Sequence, residues 1–406
     1  MESLFLVVMV PILKKEEEYF LEAQAFNGIQ KWSENFEKVT VVFPEKTEEL
    51  NNSFKWIPIK NLKNNKIKII TLPLNYKYRK FLYDVIKNRK LLLKEIKNAK
   101  YNVFSIGSLT GDWGAIASII AFFNGIKYAV WTDRVEHNVV KINSEKQSFL
   151  KKIYNRYFVY NLMKYYHKFL IKRSEVGLFH GNDCYIEYSK YVKKSFLVHD
   201  IHLNEKDQIS LSELNKKKNE LIKREYLKIC YVGRASEMKG PIEWLEILSG
   251  LKKNNIKFKA KWLGDGELLD LMKRKINELD LNENIELLGF VSDKEKIKKE
   301  LQESDIFLFC HKTKESPRNL IEALKSACPI IGFYSEYAEE LIKENNGGIL
   351  VKNFNKEKII EEIIYLNKNK IKLIEKIVNA EKDGRKFDDT KVFRERSLIV
   401  KENLYS

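Results

Sequence analysis

Short runs rich in Val, Ile and Phe alternate along this chain with longer stretches of helical periodicity, and the whole pattern occurs twice. Such alternation specifies parallel βαβ units, because each strand reaches its neighbour in the sheet through a helix laid across the sheet face. In the first half the expected strands are Leu4–Val10, Val39–Phe43, Lys68–Thr71, Tyr101–Ile106, Tyr128–Thr132 and Val176–His180. In the second they are Lys228–Val232, Lys259–Leu263, Ile285–Leu288, Ile306–Phe309, Pro329–Phe333 and Gly348–Val351. The expectation is therefore α/β, with a Rossmann-like domain over 1–203, a charged linker or helix over 204–227, and a second Rossmann-like domain over 228–380. A helical segment, 381–406, is expected to pack back on the first domain. At roughly 150 residues per domain, 406 residues suit this division.

Composition excludes several classes. With 44% hydrophobic and 12% aromatic residues the chain carries enough apolar surface to fold, so intrinsic disorder is ruled out. A net charge of +17, from 73 basic and 56 acidic residues, favours anionic partners: phosphates, nucleic acid or an acidic membrane surface. Cys184, Cys230, Cys310 and Cys328 show neither CxxC nor Cys/His spacing, against a disulfide scaffold or a structural zinc, and fit a reducing cytoplasm. Leu4–Leu13 reads as a buried first strand rather than a signal peptide, since Glu2 precedes it and Pro11 interrupts it. No stretch reaches the ~20 uncharged apolar residues of a spanning helix.

Three motifs follow expected strands in the second half. Gly233-Arg234, followed by Lys239-Gly240, joins a glycine that admits a ligand to the backbone with two cations suited to a diphosphate. Gly264-Asp265-Gly266 is a second strand-to-helix turn, without the dinucleotide fingerprint or the P-loop lysine. The third runs from Glu315 to Glu322 as Glu-Ser-Pro-Arg-Asn-Leu-Ile-Glu. Here Ser316 is the expected N-cap, with Pro317 as the first helical residue. A phosphate suits such a helix start, and Arg318 in the first turn is placed against the helix dipole unless an anion compensates it.

In this order the motifs resemble the donor half of family 4 glycosyltransferases over residues 228–351. The resemblance implies the glycosyltransferase-B fold, two Rossmann-like domains facing a central cleft, and transfer of a hexose-like sugar from a nucleotide-diphosphate sugar with retention of configuration. Arg234, Lys239 and Glu315 would be catalytic. Gly233, Gly264, Gly266, Arg318, Asn319, Leu320 and Glu322 would bind the donor, Glu322 through the ribose. Glu315 and Glu322 enclose six residues where the family has seven, and Lys314 holds the strict position. On the acceptor side, Asp112 follows a strand and opens a helix, while Asp133 stands where many family members carry a histidine, with His137 four residues on. No Asp-x-Asp motif occurs, so neither a metal nor any other cofactor is expected. Expected partners are the nucleotide sugar and a glycan or lipid-linked acceptor of polysaccharide or lipopolysaccharide assembly.

From Lys146 to Ser174 there is no acidic residue, while lysines and arginines alternate with Tyr and Phe; Tyr76–Lys100 is similarly basic. These segments predict a peripheral contact with an anionic membrane, on the inner face of the cytoplasmic membrane. The alternative to lipid contact is a helix packing its aromatics into the first domain. Two other function classes fit the composition. A nucleic-acid-binding protein is disfavoured by the lack of a zinc finger, an RNP-like string or a basic arm, so no nucleic acid is expected. A non-catalytic nucleotide-sugar-binding module would differ in lacking turnover.

Overall fold

The computed structural model describes residues 2–47, 55–62, 65–144 and 147–405; Lys146 lies outside them. The chain divides into two compact units. One comprises Met1–His202, Lys314–Ser316 and Asp389–Ser406, the other Leu203–Thr313 and Pro317–Asp388.

The strands of the first unit are β1 (Ser3–Val7), β2 (Ile12–Lys15), β3 (Glu18–Glu22), β4 (Lys38–Lys46), β5 (Trp56–Pro58), β6 (Ile67–Pro73), β7 (Tyr101–Ser105), β8 (Ala129–Thr132), β9 (Val176–His180) and β10 (Lys194–Val198). They form one sheet in the order β10-β9-β8-β7-β1-β4-β2-β3-β5, with β6 also paired to β4. The strands β1, β4 and β6 to β10 pair in parallel. Alternate residues point to opposite faces, so Leu4, Leu6, Val39 and Val41 enter one core cluster and Phe5, Val7, Val42 and Phe104 the other. Burial of both faces is what makes these strands near-continuous apolar runs. An antiparallel extension, β2-β3-β5, was not expected from sequence. Its hairpin turns at Glu16, whose φ is 51°, inside the charged run Lys14–Glu18.

Helix Asp389–Asn403 places Phe393 and Val400, with Leu404 just beyond, in the first unit's core. Arg396 on this helix is only 1% exposed. Its guanidinium lies 4.4 Å from the Trp131 ring centroid and 5.1 Å from that of Trp32, and donates to Asp200 at 3.1 Å. Stacking on indole faces and a carboxylate partner together offset the cost of burying this charge.

The second unit holds β11 (Leu227–Val232), β12 (Phe258–Leu263), β13 (Ile285–Gly289), β14 (Ile306–Phe309), β15 (Ile330–Phe333) and β16 (Gly348–Val351). Their order is β13-β12-β11-β14-β15-β16, all parallel, which is the doubly wound 3-2-1-4-5-6 arrangement. Helix Leu211–Lys223, in the stretch expected as a charged linker or helix, belongs to this unit; Ser210 and Glu213 close a capping box at its start. Lys217 on it is buried and donates to the Ala327 carbonyl at 2.7 Å.

Candidate active site

In a doubly wound sheet, ligands bind beyond the carboxyl ends of the strands where the strand order reverses. In the second unit that point lies between β11 and β14. The turn after β11 is joined to the turn after β12: Gly233 N donates to Leu263 O at 2.8 Å, Ala235 N to Asp265 O at 2.9 Å, and Leu268 N to Ala235 O at 2.9 Å. A Cβ on Gly264 would stand 1.9 Å from the Gly233 carbonyl oxygen, and one on Gly266 would stand 2.5 Å from that of Ala235. With φ of 153° and 155°, both positions require glycine for conformation as well as for space.

Arg234 projects from this pair of turns and is exposed; Lys239, half-buried, closes a short 3-10 turn, Glu237–Lys239. The loop after β14 pins that turn, because Lys312 N donates to Met238 O at 2.9 Å and its ammonium contacts Glu237 and Glu243 at 2.7 and 2.5 Å. Sequence reasoning missed His311. Its Nε2 lies 2.8 Å from the Tyr231 hydroxyl, and burial, with Lys239 nearby, pushes its pKa well below the usual range. A neutral imidazole therefore underlies the basic loop. The local signal was a polar residue two places after a fully apolar strand, beyond Cys310.

Helix Asn319–Lys325 starts later than expected. Arg318 occupies the N-cap position, whereas the Ser316 hydroxyl donates to the His180 carbonyl at 2.6 Å. That non-local bond overrides the Ser-Pro capping pattern. Asn319 Nδ2 donates to Val232 O at 2.6 Å, tying the helix to the end of β11, and its Oδ1 is buried with no hydrogen-bond partner among the described residues. Leu320, expected in the donor set, is a core residue, 1% exposed. Arg318 and Glu322 are half-buried.

Glu315 falls in the first unit, where its backbone forms an isolated bridge with Arg134. Arg134 donates from Nε and Nη2 to Glu136 Oε1 at 3.0 and 2.8 Å. Glu136 stands at this sheet's own reversal point, between β1 and β7: a Cβ on Gly107 would lie 3.1 Å from its Oε1 and 2.8 Å from Met9 Sδ. Burial outweighs the neighbouring guanidinium and raises the Glu136 pKa to about 7. A carboxyl group that exchanges its proton near neutrality beside a fixed cation suits acid-base work. Neither Arg134 nor Glu136 was singled out in the sequence, although Asp133-Arg134-Val135-Glu136 directly follows β8.

Two acceptor-side expectations are corrected. Asp112 is 1% exposed and caps helix Trp113–Phe123. Its Oδ2 accepts from Gly107 N and Ser108 N at 2.9 and 3.0 Å, and its Oδ1 from Ala115 N at 2.8 Å, so both oxygens serve the loop. His137 is buried at 2%, 3.7 Å from Glu187, and burial draws its pKa down to about 4. Such a ring is neutral and enclosed at neutral pH. Asp133 alone of the three is exposed.

The fold thus comprises two units, each a largely parallel sheet covered by helices, and it is the glycosyltransferase-B fold. Anabaena HepE in complex with UDP has the same architecture, with a TM-score of 0.69 at 13% identity over all of both chains. Residues 212–386, less than half of the chain, match the family described as glycosyl transferases group 1. An α-1,4-N-acetyl-D-galactosaminyltransferase of Campylobacter jejuni, named for a GalNAc-extended diNAcBac-PP-undecaprenol, is 28% identical over 176 residues, 42% of this chain and 44% of its own length. An uncharacterized glycosyltransferase of Methanocaldococcus jannaschii is 28% identical over 269 residues, 60% of this chain and 61% of its own. The chain therefore spans about half the length of the curated relatives it matches.

Proposed function

We propose that this protein is a retaining, metal-independent family 4 glycosyltransferase that moves a sugar from a nucleotide-diphosphate donor to a glycan or lipid-linked acceptor in cell-surface polysaccharide assembly. One observation carries the reading: the interlocked glycine turns after β11 and β12, bearing Arg234 and Lys239, lie inside the segment that matches group 1 glycosyl transferases. In this reading the departing diphosphate gathers negative charge beside two cations held on a rigid loop, which stabilises the transition state more than the ground state. Glu322 takes the ribose hydroxyls, Asn319 Oδ1 accepts from the donor, and Glu315 contacts the sugar. A leaving phosphate oxygen accepts the acceptor's proton. Arg134 and Glu136 replace Asp112 and His137 as the acceptor-side pair. The undecaprenol-linked acceptor in the name of the Campylobacter relative supports a lipid-linked acceptor and a peripheral place at the membrane.

The test is a thermal-shift screen over UDP, GDP and ADP sugars, since a ligand that binds only the folded state raises the midpoint. One donor class should shift the wild type and leave Glu322→Ala unshifted. Arg234→Ala and Lys239→Ala should each lower kcat about a hundredfold while the donor Kd moves less than tenfold. Full turnover in both variants would place the diphosphate elsewhere and end the proposal.

A further inference from the structure

We propose that one helical face of the first unit is a docking surface for anionic phospholipid bilayers. Helices Tyr78–Asn98, Trp113–Phe123 and Tyr160–Lys172 pack side by side. All three bury their inner residues in the same core cluster, through Phe81 and Leu92, Trp113 and Ala117, and Leu170 and Ile171. Their outer faces are apolar to a degree solvent does not favour. In the helical segment that leads into the third, Phe149 and Leu150 are 75% and 79% exposed and Tyr157 and Phe158 are also out; on the third helix itself Tyr165 is exposed. On the neighbouring helices Tyr78, Leu82, Tyr83, Ile86 and Phe123 are exposed as well. The expected alternative, aromatics turned into the domain, holds for partly buried Tyr166 and Phe169 and for Tyr160, whose ring meets that of buried His137 edge-on at 5.1 Å. Large apolar side chains exposed together on one group of helices mark an interaction site.

Charge identifies the occupant. Gln147–Ser174 contains no Asp or Glu. Helix Tyr78–Asn98 has two acids, and both are buried: Asp84 accepts from Asn75 and Glu95 from Lys68. Its Arg79, Lys80, Lys87, Arg89 and Lys90 are exposed. An acid-free cationic face repels a second copy of itself, whereas lysines beside Tyr and Phe match the headgroup layer of an anionic bilayer.

The backbone also favours one sided presentation. Residues four apart on an α-helix drift ~40° per step, so Lys152, Arg156, Lys164, Lys168 and Lys172 would spiral around a plain helix. Between helices Phe149–Ile153 and Tyr160–Lys172, however, Tyr154–Val159 is π-helical. Bonds from i to i+5 mean more residues per turn, hence less rotation per residue, and part of the drift is undone. Within the π-helical segment Tyr154 and Phe158 stack at 5.2 Å while both remain exposed. Among the described residues, no helix is long and apolar enough to cross a membrane, so the contact is interfacial.

The inference does not depend on the reaction proposed above, and its test needs no nucleotide sugar. The full chain is sedimented with vesicles of phosphatidylcholine alone and with phosphatidylglycerol added. Binding should require the anionic lipid and fall at least about tenfold between low and high salt. Lys151→Glu/Lys164→Glu/Lys172→Glu should weaken it at least about a hundredfold, given three lysines near the surface. Phe149→Ser/Tyr154→Ser/Phe158→Ser should weaken it without altering charge, and the second-unit control Lys216→Glu/Lys253→Glu/Lys299→Glu should retain it. Circular dichroism checks each variant's fold; if one does not fold, the wild type's dependence on lipid and salt still decides. Equal partitioning into both vesicles, no binding to anionic vesicles at low salt, or an equal loss in the control overturns the proposal.

Discussion

Replacing His167 with phenylalanine should alter how the first unit's stability depends on pH. His167 is fully buried, and neither ring nitrogen has a hydrogen-bond partner among the described residues. Burial draws its pKa from 6.5 to about 3, as it draws that of His137 from 6.5 to about 4. The unfolded chain therefore takes up more protons below pH 6.5, and stability is lost as pH falls from there towards the folded values. Between pH 8 and 5, linkage assigns about 2 kcal/mol of loss to each ring and about 4 to the pair. Glu136 acts in the opposite sense. Its carboxyl is raised from 4.5 to about 7, so the folded state binds the proton more tightly and gains about 2.5 kcal/mol over the same interval. The three terms partly cancel, to a net loss of about 1.5 kcal/mol, so the wild-type profile alone does not isolate either ring. The difference between wild type and variant isolates the ring. Urea unfolding of the full chain, followed by tryptophan fluorescence at pH 8 and pH 5, should show His167→Phe improving relative to wild type by about 2 kcal/mol at the lower pH, and His137→Phe/His167→Phe by about 4. A difference that stays the same at both pH values would refute buried neutral imidazoles, whatever the variants cost at pH 8.

Gly264→Ala should destabilise the second unit by at least about 3 kcal/mol and abolish the donor-induced thermal shift, because a methyl cannot share space with the Gly233 carbonyl. Arg396→Leu should cost the first unit about 3 kcal/mol in urea unfolding, since it leaves Asp200 without its buried cation and Trp131 without its stacked plane. Turnover should persist in excess chelator; complete loss restored by magnesium or manganese would remove the metal-free mechanism.

The long central strands were legible because burial on both faces writes them as apolar runs. By contrast, β5 and β10 are only partly buried and β2 is half charged, so each resembles loop in the sequence. Asp112 was misread for a different reason. An aspartate that caps a helix and one that meets a substrate stand at the same place, after a strand and before a helix; only the amides of Gly107, Ser108 and Ala115 decide between them. The motif glycines could be read because a glycine in a strand-to-helix turn is a local signal, although the space they need is set by the distant Gly233 and Ala235 carbonyls. Glu136 could not, since its raised pKa comes from burial beside the Gly107 turn, more than 25 residues away in the chain. Leu320 shows the limit in the other direction, since a motif read as one unit does not reveal that one of its side chains faces the core.

The placement of helix Asp389–Asn403 bears on how the protein is made. Phe393, Val400 and Leu404 share a core with Leu4 and Leu6, yet the ribosome delivers them only after all of Leu203–Asp388 has emerged. The second unit can therefore close during synthesis, domain by domain in the ordinary way, while the first waits with one apolar sheet face only partly covered, by helix Ala23–Glu34. During that interval the nascent first unit is a natural client for chaperones, and a translational stall before Asp389 would expose it to aggregation and proteolysis.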